Sequence, residues 1–514
     1  MSPKNVQKSS VFIDKTTYLA YRQCPKNAWL KVNKPELHAL FELSEFEKSL
    51  SDMGHMVEVM AQKMFPDAVK DKTGDSVPVL FQPTFIFEGF LARADVMAYD
   101  TATNLWNLYE IKASNSLKNT NELDYIEDVA FQSVIIRNLS LGLGKIFIIY
   151  LNKEYIRGDE LDIKKLFVTE DATERVMERE KATLNRMHQA KKDILEKSEQ
   201  ELACECIYTG RSAHCTTFAY SHPKVPKYSV HDLARIGSSK NALHSLIDDG
   251  IYGLGDIPPD FHLTEIQRNQ VMVYQTKRPF SDHKAIKGEL AGLQYPLYFL
   301  DYETYASAVP LFKGFSPFQQ IPFQFSLHVV EGFEKDSDVA DSSIVDNFEY
   351  LHQADSDPSL MIIEELHELI GPKGSIIVWN KSFEQSINEQ LAERHPEHKN
   401  FLDDVNKRIY DLRDIFTKQL YVHHGFEGKT SIKKVLPVLV PEESSHKDLE
   451  IKEGASASKK WYDMVFGNDL VPTEKEIILK DLMDYCGLDT YAMYAIWRFL
   501  CCTFLPNLLR FSAQ

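Results

Sequence analysis

Apolar residues recur every three to four positions over Thr16–Asn33 and Phe46–Phe65, the spacing of amphipathic helices. The pattern then changes to β-branched and aromatic runs at Val79–Phe90, Leu91–Tyr99 and Leu105–Ala113, which predict three strands with Gly89 as a kink between the first two. Ala172–Glu201 returns to helical spacing within a strongly charged stretch, as expected of a long, partly exposed helix. Val230–Ile257 predicts a short helix, a loop and a second helix ending in the turn Asp249-Gly250-Ile251. Pro258-Pro259 then interrupts the chain before a helix at Leu263–Gln275. Beyond it, Pro296–Tyr305 reads as a buried strand and Pro322–Val330 alternates as a second. Ser359–Ile370 predicts a helix, Ser375 begins a strand that breaks at Trp379-Asn380 into another helix, Arg408–Phe416 begins as a strand, and Ile477–Tyr494 is helical. This mixture predicts an α/β protein with a domain over residues 1–222, a helical connector over 223–290 and a second domain over 291–514.

A chain of 514 residues is too long for one hydrophobic core, which agrees with more than one domain. Its 44% hydrophobic and 26% charged content is that of ordinary globular protein. No apolar run is long enough to span a bilayer, and the first residues lack a signal-peptide core, so the expectation is a cytoplasmic protein with no membrane partner. A net charge of −17 argues against passive coating of a polyanion but leaves room for an enzyme that binds nucleic acid through a local basic strip. Seven cysteines, an odd number, suit reduced thiols or metal ligands better than a disulfide framework.

Two places concentrate acids at informative spacing. In Pro296–Tyr305 the apolar run ends in Asp301 and Glu303, which point to one face because strand residues two apart do so. Neighbouring carboxylates repel, and a divalent cation neutralises them. Further along, Glu384 follows Trp379-Asn380, and Tyr485 and Asp489 lie four apart on one helix face. This ordered set resembles the DnaQ-type exonucleases, an RNase H-like fold with motifs Asp-x-Glu, Asn-x-x-Phe-Asp and Tyr-x-x-x-Asp, here with Glu384 at the second aspartate. The resemblance covers roughly 293–499. It implies that Asp301, Glu303, Glu384 and Asp489 hold two Mg²⁺ or Mn²⁺ ions and that Tyr485 orients the attacking water. Asp411 is a further acid nearby, and Lys429, Lys433 and Lys434 would hold the phosphate backbone of the substrate.

In the N-terminal region, Asp95 is followed after a hairpin by Glu110-Ile-Lys112, with Glu110 and Lys112 on one side of their strand. Two carboxylates can hold a water-activating metal, and an ammonium can offset developing charge on phosphate. With Gly54-His55-x-x-Glu58 before it and Gln132 after it, this order resembles the RecB-type PD-(D/E)XK nucleases. That resemblance implies Asp95 and Glu110 as metal ligands, Lys112 as the catalytic lysine, His55 as an additional ligand with Glu58 one turn on as its substitute, and Gln132 as a nucleic-acid contact. The family's tyrosine after the glutamine is Ile136 here. Many such nucleases carry an iron–sulfur cluster on one early and three late cysteines, which would be Cys24, Cys204, Cys206 and Cys215, while Ser212 and Ser221 stand where further sulfurs are usual. Free buried thiols are the other reading of these cysteines.

The Asp249-Gly250-Ile251 turn resembles a helix-hairpin-helix unit, which would grip phosphate with backbone amides. Glu364, Glu365 and Glu368 read as a solvated helix face. Taken together, the expectation is a metal-dependent nuclease with a PD-(D/E)XK-like domain and a DnaQ-like 3′ to 5′ exonuclease domain, acting on DNA in repair, recombination or defence. A nucleic-acid-binding scaffold with one or both sites inactive, and an exonuclease acting on RNA, are the alternatives.

Overall fold

The first helical run is broken at Cys24, where the backbone is extended (φ −153°) and Pro25 supplies no amide hydrogen. The predicted single helix is therefore two, Lys15–Gln23 and Pro25–Asn33, each with a side-chain N-cap, Asp14 and Cys24. The computed structural model describes residues 11–39, 45–65, 79–117, 124–238, 240–332, 345–443, 451, 453–467 and 470–505. The chain is mixed α/β, and it divides into two compact units, Met1–Val225 with Ser307–Gln319, and Pro226–Ala306 with Gln320–Gln514.

The first unit is built on a five-stranded sheet in the order Val79–Phe81, Val96–Asp100, Leu105–Lys112, Leu143–Leu151, Phe167–Asp171. Leu105–Lys112 runs antiparallel to Val96–Asp100 and parallel to Leu143–Leu151, a pairing bridged by the helix Tyr125–Asn138. That helix has almost no exposed face, its residues from Tyr125 to Ile136 all being buried, which suits an element covered on both sides. Ile126, Val129 and Ala130 pack on the sheet, while Phe131, Val134 and Ile135 meet Tyr18, Met187 and Ala190 of flanking helices. Gly89 is not a kink: with Glu88 (φ 48°) and Gly89 (φ 83°) both left-handed, it forms the hairpin turn between strands Thr84–Phe87 and Phe90–Arg93. The charged run after Ala172 is a single helix, Thr173–Glu196, as its pattern predicts.

The second unit has a five-stranded sheet in the order Val345–Leu351, Gln320–Val330, Leu297–Ala306, Ser375–Val378, Ile409–Asp411. Its first two pairings are antiparallel and its last two parallel. Tyr298, Leu300 and Tyr302 face the core beneath helices Ser359–Leu369, Lys381–Arg394 and Lys399–Arg408. Leu297 and Phe299 face the opposite core, made with Ala492, Ile496, Trp497 and Leu500 of the helix Pro472–Phe504. That helix has 33 residues and runs well past both ends of the predicted segment. The pairing register slips after Glu303, a bulge at the end of the acidic strand. In the connector, Gly250 is left-handed (φ 72°), but the element that follows it is the three-residue 3₁₀ turn Leu254–Asp256. The second helix of a helix-hairpin-helix unit is thus missing there. Among the described residues, no helix is long and apolar enough to cross a membrane.

Candidate metal-binding sites

Period-two alternation decides where Asp301 and Glu303 point: they continue the Leu297–Phe299 face, toward the long helix. Tyr485 and Asp489 come from that helix, one turn apart and both buried. Carboxylate oxygens of Asp301, Glu303 and Asp489 lie within 4.8 Å of one another. Glu384 enters from the first turn of helix Lys381–Arg394 and lines the same cavity, of 390 Å³, with Phe383, Lys433, Gly454 and Ser458. Glu384 is 2% exposed, and among the described residues its Oε2 has no hydrogen-bond partner. Asp411 accepts the backbone N–H groups of Lys381 (3.0 Å) and Arg413 (3.0 Å) and so fixes the start of the helix that presents Glu384.

The strand beside the acids anchors the helix above them. Ser326 pairs opposite Asp301, and its Oγ lies 2.7 Å from Thr490 Oγ1, a hydroxyl also 2.8 Å from His328 Nδ1. Gln324, opposite Glu303, donates from Nε2 to the Leu482 carbonyl at 2.9 Å. The spacing of acids between sheet and helix is therefore set by polar contacts on either side of them.

Crowding of buried carboxylates leaves an electrostatic signature. Burial pushes the Asp301 carboxyl well above the ordinary carboxylate range, and Asp489, Glu303 and Glu384 push it the same way. Glu303 is pushed up to about 8, by burial first and then by Asp489, with Lys433 opposing. Glu384 is also pushed up to about 8 by burial. The Lys433 ammonium donates to the Tyr485 hydroxyl at 3.0 Å and lies 4.8 Å from its ring centroid. Burial, then Asp489 and Glu303, hold that phenol far above its ordinary range, so it stays protonated. A set of buried, mutually repelling oxygens, one of them unpartnered, fits a hard divalent cation. Of the other predicted lysines, Lys434 pairs with Glu427 at 2.7 Å, and Lys429 is exposed and does not line the cavity.

In the first unit, Asp95 lies just before Val96–Asp100 and accepts the Ile111 N–H at 2.7 Å. Glu110 is buried, with Lys15 (2.7 Å) and Lys112 (2.9 Å) on Oε1 and Gln132 Nε2 (2.6 Å) on Oε2. Lys112 also donates to Asp128 at 2.6 Å and lies 4.8 Å from the Tyr125 ring centroid. Burial alone would raise Glu110, but Lys112, Lys15 and the Gln132 amide outweigh it and hold the carboxyl far below its usual range. Asp95 is pushed up to about 7, by burial and by Glu110. Gln132 is fully buried, and its amide donates to Glu110. His55 lies on the exposed side of helix Glu45–Gln62, outside the ligand groups that converge among the described residues. Glu58 is engaged by Gln62 Nε2 at 3.2 Å and by Gln82. Lys15 and Asp128 belong to this cluster without having been anticipated; Asp128 sits four residues before Gln132 on one helix, a spacing that places it beside the cluster.

The remaining convergence is of thiols: Cys24, Cys204, Cys206 and Cys215 have their sulfurs all within 4.8 Å of one another. They come from the start of helix Pro25–Asn33 and from the turns that follow the long charged helix.

The family model described as a domain of unknown function, DUF2779, matches residues 298–431. The match takes in Asp301, Glu303 and Glu384 and ends before Lys433, Tyr485 and Asp489. No curated protein matches the chain.

Proposed function

We propose that this chain is a metal-dependent nuclease that hydrolyses phosphodiester bonds of DNA, with a DnaQ-like, RNase H-like 3′ to 5′ exonuclease site in its second unit. The observation that carries this reading is the convergence of Asp301, Glu303 and Asp489, with ligand oxygens within 4.8 Å, on a cavity that Glu384 also lines. Asp301, Glu303, Asp489 and Glu384 would hold Mg²⁺ or Mn²⁺, which supplies Lewis acidity toward phosphate and a water of lowered pKa. The chain's own groups do the rest. Tyr485, kept protonated, donates a hydrogen bond that orients a water, and Lys433 both fixes that phenol and offsets charge on a phosphate oxygen. Phe383 and Ile432 supply an apolar wall on which a terminal base can stack or rest.

The first unit, on the same reading, is a PD-(D/E)XK-like domain in which Asp95, Glu110 and Lys112 form a second nuclease site. A second reading is favoured there by one observation: both oxygens of Glu110 are already taken, by Lys15, Lys112 and Gln132. A carboxylate neutralised in this way belongs to a binding scaffold whose site does not cut.

The test is degradation of end-labelled single- and double-stranded DNA, with RNA in parallel, in Mg²⁺ or Mn²⁺, by wild type, Asp301→Asn and Lys112→Ala. Loss with Asp301→Asn alone supports the exonuclease with a scaffold before it, and loss with each supports two working sites. No cleavage by wild type in either metal rejects the nuclease reading, and cleavage of RNA alone changes the substrate.

A further inference from the structure

The four gathered cysteines give distances that discriminate among what sulfurs can hold. Cys24 Sγ and Cys204 Sγ are 3.7 Å apart, as are Cys204 Sγ and Cys215 Sγ, and no pair in the set exceeds 4.8 Å. Four thiolates on a tetrahedral Zn²⁺, each about 2.3 Å from the ion, stand about 3.8 Å from one another. An iron–sulfur cubane places an iron corner between each thiolate and the centre, which spreads the four sulfurs to about 6 Å. A disulfide would bring two sulfurs to about 2 Å. The observed spacing is that of a single ion.

The surroundings of the sulfurs point the same way. Cys24 caps the helix Pro25–Asn33, and its Sγ accepts the Asn27 N–H at 3.4 Å. The Cys215 backbone N–H serves Cys206, and Thr217 Oγ1 lies 3.8 Å from Cys215 Sγ. Donors aimed at sulfur stabilise thiolates and set their orientation around a metal. Phe218, Ile207 and Val225 pack around the group, which keeps it dry. His222 Nε2 lies 3.0 Å from the Cys204 carbonyl, and among the described residues the ligand atoms that converge here are the four sulfurs.

We propose that Cys24, Cys204, Cys206 and Cys215 bind one Zn²⁺ ion tetrahedrally, in place of the iron–sulfur cluster that the nuclease resemblance implies. Soft thiolates in a closed tetrahedral array with no position left for water make a structural site, not a catalytic one. The ion ties Cys24 to a residue 180 positions later, so it closes nearly the whole first unit into one covalent and coordinate loop. This assignment does not depend on the nuclease reading.

The experiment uses the full chain, purified without added metal and passed over a carboxylate chelating resin. The expected result is one zinc per chain, no acid-labile sulfide and no broad visible absorption. A mercurial thiol reagent should then release the zinc as it blocks the sulfurs. Exchange into Co²⁺ should give the intense visible bands of a tetrahedral tetrathiolate in the wild-type protein, a readout that needs no variant to fold. Cys206→Ser should lose the zinc, while Cys502→Ser, at an exposed position, should keep it. Iron together with sulfide overturns the proposal, and so does a metal-free chain that takes up no Co²⁺ into a sulfur site.

Discussion

Ser326 and Thr490 share a hydrogen bond of 2.7 Å between sheet and helix, each beside an acid: Ser326 pairs across from Asp301, and Thr490 follows Asp489. The Thr490 hydroxyl is fully buried and also contacts His328. Burial holds His328 down to about 4, so it stays neutral and its bond to Thr490 persists over the working range.

Thr490→Val keeps the shape of the side chain and removes the hydroxyl that joins these groups. Leaving Ser326 and His328 without it is expected to cost about 1–3 kcal/mol of stability. A small displacement of Asp489 is expected to weaken Mn²⁺ binding by about 10- to 100-fold. Denaturant unfolding and calorimetric Mn²⁺ titration of the variant check the two effects separately.

Glu384→Gln preserves volume and removes a buried charge. Under the proposed function, which counts Glu384 among the metal ligands, nuclease activity should fall by about 100-fold or more. The metal-free variant should melt at the same temperature as wild type or higher near pH 9, because it no longer ionises a carboxyl in a dry site. Glu384→Asp should lose less activity than Glu384→Gln, and turnover of the three proteins in one assay decides it.

Glu303 and Glu384, each pushed up to about 8, fix the sign of the pH response of the metal-free protein. Between the unfolded value near about 4.3 and about 8, the folded chain binds more protons than the unfolded one, so stability falls as pH rises through that window. A divalent cation favours the ionised carboxylates and should reverse the slope. Melting temperatures from about pH 5 to about pH 9 should decline without metal, and the rise caused by Mn²⁺ should be larger at the alkaline end.

Lys112→Met tests the first unit. Its ammonium sits between Glu110 and Asp128, and their side chains are 2% and 12% exposed. Removing it leaves Asp128 without that partner and Glu110 with Lys15, at an expected cost of about 3 kcal/mol. Lys112→Arg should recover part of that stability, and urea unfolding of the two variants beside wild type checks the difference.

What the sequence made legible follows the two short periods of secondary structure. Asp301 with Glu303, and Tyr485 with Asp489, are readable because residues two apart in a strand and four apart in a helix share a face. That these two pairs meet depends on a sheet and a helix packing together, and only the ordered resemblance hinted at it. Lys15 escaped notice because it reaches Glu110 from 95 residues away with no local pattern to mark it. Gly454 and Ser458 line the acidic cavity from a helix whose sequence carries no chemical signal of its own. Gln132 is visible as a polar residue on an apolar helix, yet its partner, Glu110, lies in another element, and no local spacing marks the pair. The Cys24-Pro25 break and the Glu88-Gly89 turn show the limit of periodicity: backbone conformation at single residues decides where an element stops.

The short stretch Ser307–Gln319 counts with the first unit although the strands on either side of it count with the second. Ala308 and Val309 lie in an apolar cluster with Val57 and Leu151, and Arg157 holds the carbonyls of Pro310 at 2.7 Å and Phe315 at 3.0 Å. A gene cut once between the halves would therefore deliver neither as a self-contained product: one would lack a piece of its interior, and the other would carry that piece with nothing to bury it. Inheritance of the two parts together, in this order and on one polypeptide, is written into the way the chain is threaded.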